Sequence, residues 1–100
     1  MIKHIVLLPF NNDVTQQQID HLENGLKKIT LELPEIHSLS FGKNCSSEGL
    51  EKGHSYGFVM EFNSVGDRDF YLKHPDHVAF ANNVIIPMVN KNGGALVLDY

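Results

Sequence analysis

Apolar positions along this chain repeat with a period of about two in some stretches and about 3.6 in others, and the switches between the two mark its elements. Ile2 to Phe10 is a β-branched and aliphatic run that closes at Pro9 and the turn-rich Asn11-Asn12-Asp13, which predicts a first strand. Both of its faces are apolar, with Ile2, Val6, Leu8 and Phe10 on one and Ile5 and Leu7 on the other. His4 shares the first face and is therefore expected among buried side chains. A helix should begin at Thr15, which serves as N-cap and forms a capping box with Gln18, while Val14 and Ile19 are placed as a hydrophobic staple. Ile19, Leu22, Leu26, Ile29 and Leu33 then form one stripe for packing on a sheet, and Pro34 stops the helix.

The second half repeats the pattern with a break in it. Ile36 to Phe41 sets Ile36, Ser38 and Ser40 against His37, Leu39 and Phe41, a strand that Gly42 should end. Lys43 to Gly53 reads as a polar connection. Ser55 to Phe62 predicts a third strand with Tyr56, Phe58, Met60 and Phe62 on one side and Gly57, Val59 and Glu61 on the other. Gly57 in mid-strand implies that something approaches the backbone closely. Ser64, with Asp67 at the third position, caps a second helix that runs to Lys73. Pro75 lacks a donor and pushes His74 out of the helical region, so the chain turns a corner there. A third helix is expected from Asp76 to about Val89, turning Phe80, Val84 and Met88 to the same side as His77, with Pro87 kinking or ending it. Asn90 to Gly94 is a turn and Ala95 to Tyr100 a terminal strand.

The order β-α-β-β-α-β predicts a ferredoxin-like α+β fold over residues 1–100, a four-stranded antiparallel sheet with helices on one face. A lone α+β layer should show water one polar sheet face, yet the first and third strands are apolar on both. The expected remedy is a homodimer packed sheet to sheet into a barrel, with the terminal strand at the seam.

Composition narrows the function classes. A net charge of −4 with eight Lys and Arg offers no footprint for nucleic acid or an anionic membrane surface, so neither is an expected partner. The apolar run at Met1 to Phe10 is too short for a membrane span, and a lone Cys45, read as an incidental free thiol, excludes an internal disulfide. Both features predict a cytoplasmic protein.

Chemistry concentrates between Tyr71 and His77, where a phenol, two imidazoles and the carboxylate of Asp76 fall within seven residues. His77 lies in the first turn of the third helix, where unpaired N–H groups and the positive dipole end favour the neutral ring, a usable base at neutral pH. The same corner is also ordinary helix-start chemistry. Metal binding by His4, His74, Asp76 and His77 is a further alternative, opposed by the proline that breaks the helix between the two imidazoles.

Lys3-His4-Ile5-Val6, Gly53-His54-Ser55-Tyr56, the corner His74-Pro75-Asp76-His77 followed by Phe80, and the closing Val97-Leu98-Asp99-Tyr100 together resemble the stress-responsive dimeric α/β-barrel (Dabb) family over essentially the whole chain. The resemblance implies a dimer with a pocket in each subunit between sheet and helices; no cofactor or metal is expected. Some family members are stress-associated stable proteins and a few are plant polyketide cyclases. In those cyclases the histidine matching His77 is the base, assisted by residues matching His4 and Tyr71. His54, Tyr56, His74 and Phe80 are expected to contact a ligand. The sequence departs from the family pattern in having Tyr56 where many members place histidine, His54 where they place tyrosine, a longer turn at Lys91 to Gly94, and Met88 where the cyclases have a large aromatic. Two functions follow as expectations. One is a stable dimer that binds a small hydrophobic or phenolic ligand; the other is a cofactor-independent enzyme in which His77 removes a proton α to a carbonyl and Tyr71 or His4 hydrogen-bonds the oxyanion.

Overall fold

A computed structural model describes residues 1–100. The strands are β1 (Ile2–Leu8), β2 (Ile36–Lys43), β3 (Tyr56–Phe62) and β4 (Leu96–Asp99), and the helices α1 (Gln16–Glu32), α2 (Val65–Lys73), α3 (Pro75–Phe80) and α4 (Ile86–Val89). The sheet has the order β2-β3-β1-β4 with every pair antiparallel, so the expected ferredoxin-like α+β topology is the observed one.

The α1 signals act as the pattern predicts. Thr15 Oγ1 accepts from the Gln18 N–H and the Gln18 side chain accepts from the Thr15 N–H, completing the capping box. Ile19, Leu22, Leu26, Ile29 and Leu33 are all buried against Val6, Leu8, Phe58, Met60 and Phe62 of the sheet. Gly25 lies on the helix face toward α3, where a Cβ would fall inside the van der Waals envelope of the Phe80 ring. Phe80 can pack this close to α1 only because that residue is glycine.

Two local expectations change and one is met. β2 does not alternate strictly, because a bulge between Ile36 and Ser38 shifts the register and puts Ile36, Leu39 and Phe41 on the helix-facing side, while Ser38 and Ser40 pair with Glu61 and Val59 on the other. The close approach expected at Gly57 is present, since a Cβ there would lie 3.2 Å from both Leu7 Cδ2 and the Val6 carbonyl oxygen of the neighbouring strand. The single helix expected from Asp76 to Val89 is instead α3, a π turn at Ala81–Ile85, α4 and a 3₁₀ turn at Asn90–Asn92. Pro87 explains the π turn: it has no N–H for the Asn83 carbonyl and its ring would clash there, so the backbone widens by one residue just before it. The expected grouping of His77 with Phe80, Val84 and Met88 is not found. Phe80, Val84 and Met88 turn toward α1, whereas His77, Ala81 and Ile85 turn to the opposite side.

Asn11, buried at the exit from β1, ties this irregular segment down. Its Nδ2 donates to the Pro87 carbonyl at 2.9 Å and to Asn90 Oδ1 at 3.1 Å, and its Oδ1 accepts from the Lys91 N–H at 3.0 Å.

No helix covers the second sheet face. It carries Ile5 and Leu7 of β1, Val59 of β3, and Leu96, Leu98 and Tyr100 at the β4 edge, with Leu96 54%, Leu98 62% and Tyr100 67% exposed.

Candidate active site between sheet and helices

The corner at Pro75 determines the orientation of His77. A helix leaves its last carbonyls without intrahelical partners. In α2 the Leu72 carbonyl would ordinarily accept from the Asp76 N–H, but that N–H turns to His74 Nδ1 at 3.1 Å, which caps α3. His77 Nδ1 takes its place, 2.9 Å from the Leu72 oxygen. A carbonyl can only accept, so the proton sits on Nδ1 and the lone pair of the neutral ring is on Nε2.

His77 shares a cavity of about 500 Å³ with His4 of β1 and Tyr71 of α2, walled by Leu72, Ile85, Ile86 and Val97 among other apolar groups. The rings of Tyr71 and His77 lie 4.4 Å apart centroid to centroid, and those of His4 and Tyr71 6.2 Å. Burial lowers the His77 pKa, with nearby His4 adding in the same direction and the Leu72 carbonyl opposing it. Burial also pushes the Tyr71 phenol above its ordinary value of 10.0. At neutral pH the cavity therefore presents an imidazole lone pair beside an intact phenolic O–H. That combination suits an acid/base pair.

Two residues that sequence reasoning did not place in a site complete the polar end. Asp99 stands opposite His4 in the β1–β4 register and receives His4 Nδ1 at 2.8 Å, while Arg68 of α2 reaches the second Asp99 oxygen at 3.1 Å. Period-two reading puts His4 on an inward position but cannot supply the register that sets Asp99 opposite it.

The four expected ligand contacts are not brought to this cavity. His54 donates from Nδ1 to the Glu51 carbonyl at 2.8 Å, and Tyr56 stacks on Phe41 with Phe10 tilted against it. Both border a different hollow of about 560 Å³ beneath the β2–β3 connection. His74 is occupied in capping α3 and lies against Phe70. Phe80 is turned onto α1 by the helix geometry already described. No three His, Cys, Asp or Glu side chains converge as a metal site, His74 pointing away from His4 and His77.

This architecture, a ferredoxin-like sheet with helices on one face and a ligand-sized cavity between the layers, places the chain among the ferredoxin-like α+β proteins. Among these, the chain belongs to the stress responsive A/B barrel domain family, whose profile matches residues 2–100. It is 29% identical over 99 residues to the stress-response A/B barrel domain-containing protein HS1 of Arabidopsis thaliana, covering 99% of this chain and 87% of that protein. It is 25% identical over 81 residues to olivetolic acid cyclase of Cannabis sativa, covering 81% of this chain and 80% of the cyclase. Among solved structures, an A. thaliana protein superposes with a TM-score of 0.90 at 28% identity, covering 100% of this chain and 93% of the other. A dimeric ferredoxin-like protein of unknown function from Jannaschia superposes with a TM-score of 0.86 at 26% identity, covering 99% and 96%. No helix of the chain is long and apolar enough to cross a membrane.

Proposed function

We propose that this protein is a homodimer, joined through the open sheet face and β4, in which each subunit binds a small ligand with an apolar body and a phenolic or carbonyl oxygen. The observation that carries this reading is the convergence of His4, Tyr71 and His77 on one mostly apolar cavity of about 500 Å³. Pockets for small organic ligands have this size and make-up, an apolar wall with a few polar groups gathered at one place. The exposed Leu96, Leu98 and Tyr100 supply the apolar face for self-association, and the Jannaschia relative is described as dimeric.

The hydrogen bond from His77 Nδ1 to the Leu72 carbonyl favours a more specific, second reading, acid/base catalysis without a cofactor. His77 Nε2 takes an acidic proton from the carbon next to a carbonyl, and the Tyr71 O–H donates a hydrogen bond to the enolate oxygen that forms. A positioned base of this kind contributes about 10²–10⁴-fold to a proton transfer. Its likeness to a cyclase supports considering that class of reaction.

Both readings are tested with 4-propylphenol and acetophenone as probes. Binding predicts saturable amide NMR shifts at Leu72, His77, Ile85 and Val97, and no such shifts or shifts confined to the β2–β3 connection overturn the ligand site. Catalysis predicts protein-dependent deuterium uptake at the acetophenone methyl group in D₂O that His77→Gln abolishes at unchanged melting temperature. Equal uptake with the variant removes His77 as the base while leaving the binding reading intact.

A further inference from the structure

We infer that Arg68 is a positioning residue, acting through Asp99 to fix which nitrogen of His4 carries a proton and so which one faces the cavity. The reason begins with β4. That strand has only four residues and Asp99 is its last, so packing within the strand does not by itself hold the carboxylate in one orientation. Its hydrogen bonds do. Asp99 Oδ1 lies 2.8 Å from His4 Nδ1 and Asp99 Oδ2 3.1 Å from Arg68 Nη1, which holds the carboxylate at both oxygens.

Arg68 is itself aimed. Its Nε and Nη2 donate to Asp69 Oδ1 at 3.2 and 3.0 Å, leaving Nη1 directed at Asp99. A planar fork of N–H groups spans two carboxylates in this way, whereas a lysine ammonium on a flexible stem does not. Without the guanidinium, Asp99 would be held at one oxygen and partly exposed, free to turn toward water. His4 would then lose the acceptor that keeps its proton on Nδ1, and the ring would move toward the Nε2–H form that a free imidazole prefers. Fixing Nδ1–H leaves Nε2 of His4 as an acceptor at the cavity, complementary to a ligand hydroxyl.

The value of this arrangement to a ligand rests on the cavity reading above, but its test needs no ligand, so the two fail separately. Long-range ¹H–¹⁵N NMR of the histidine rings in the full-length protein reads the tautomers directly. The expected result is His4 in the Nδ1–H form in the parent, with the Nε2–H to Nδ1–H ratio rising about tenfold in Arg68→Gln, the change that loss of one charge-assisted hydrogen bond produces. Arg68→Lys restores only part of it, and His77, held by a backbone carbonyl, does not change in either variant. Asp99→Asn, whose amide can donate to Nδ1, should convert His4 to Nε2–H and serves as a second variant. A His4 ring that stays wholly Nδ1–H in Arg68→Gln, or that is Nε2–H in the parent, overturns the inference.

Discussion

Replacing Leu98 with lysine should separate the two subunits. Leu98 pairs with Ile5 across the β1–β4 register, points away from the helices, and is 62% exposed in the isolated subunit. Full burial of a leucine side chain stabilises by about 1.5–3 kcal/mol, and roughly two-thirds of that remains to be gained when a second sheet covers it. In a two-fold dimer each substitution occurs twice, so loss of the apolar contact alone weakens association by about 2–4 kcal/mol, a factor of ~30 to ~1,000 in Kd. The lysine ammonium adds a desolvation cost that snorkelling toward the edge only partly relieves. Leu98→Ala, which removes area without adding charge, should fall at the low end of that range. Sedimentation velocity over a concentration series reads both variants, with circular dichroism confirming that each subunit stays folded. A parent protein that sediments as a single chain at micromolar concentration, or a Leu98→Lys Kd within a factor of about three of the parent's, refutes the placement of the interface on this face.

Two further outcomes follow from the buried polar groups. Because burial lowers the folded-state pKa of His77 below its ordinary 6.5, the unfolded chain binds more protons in the interval between the two values. The contribution to stability is therefore present above pH 6.5 and lost as pH falls below it, so urea midpoints at about pH 5 and pH 8 should differ less in His77→Gln than in the parent, and an unchanged difference contradicts the assignment. Asn11→Ala leaves the Pro87 carbonyl and the Lys91 N–H without their buried partner and should destabilise by about 2–3 kcal/mol in urea unfolding at fixed protein concentration. A change below about 0.5 kcal/mol would show that water replaces the amide at no loss.

Much of the fold is readable from residue pattern because it depends on local rules. The Thr15–Gln18 box, the Ile19-to-Leu33 stripe and the Pro75 corner each act within a few residues of themselves, and the structure contains all three. Reading fails where a distant partner decides. The bulge near His37 is invisible to strict alternation, and Phe80, three residues on from His77, turns instead to the space that Gly25 leaves on α1. Alternation reaches the burial of His4, but helical spacing groups His77 with Phe80, Val84 and Met88, so its meeting with His4 and Tyr71 is decided by tertiary packing. Asp99 and Arg68 join them through strand register and a helix-to-edge contact that no spacing in the chain encodes. His54, Tyr56 and His74 stay apart because nearby backbone and aromatic groups already claim them.

The Leu72 carbonyl has a consequence for how such a pocket can change. The group that aims His77 belongs to the main chain, which every residue type supplies, so exchanging Ile85, Ile86 or Val97 alters what fits inside without loosening the imidazole. Shape and reactivity are thus held by separate parts of the molecule. New occupants can be accommodated by remodelling walls alone, with a correctly oriented nitrogen inherited from a proline-made break in a helix.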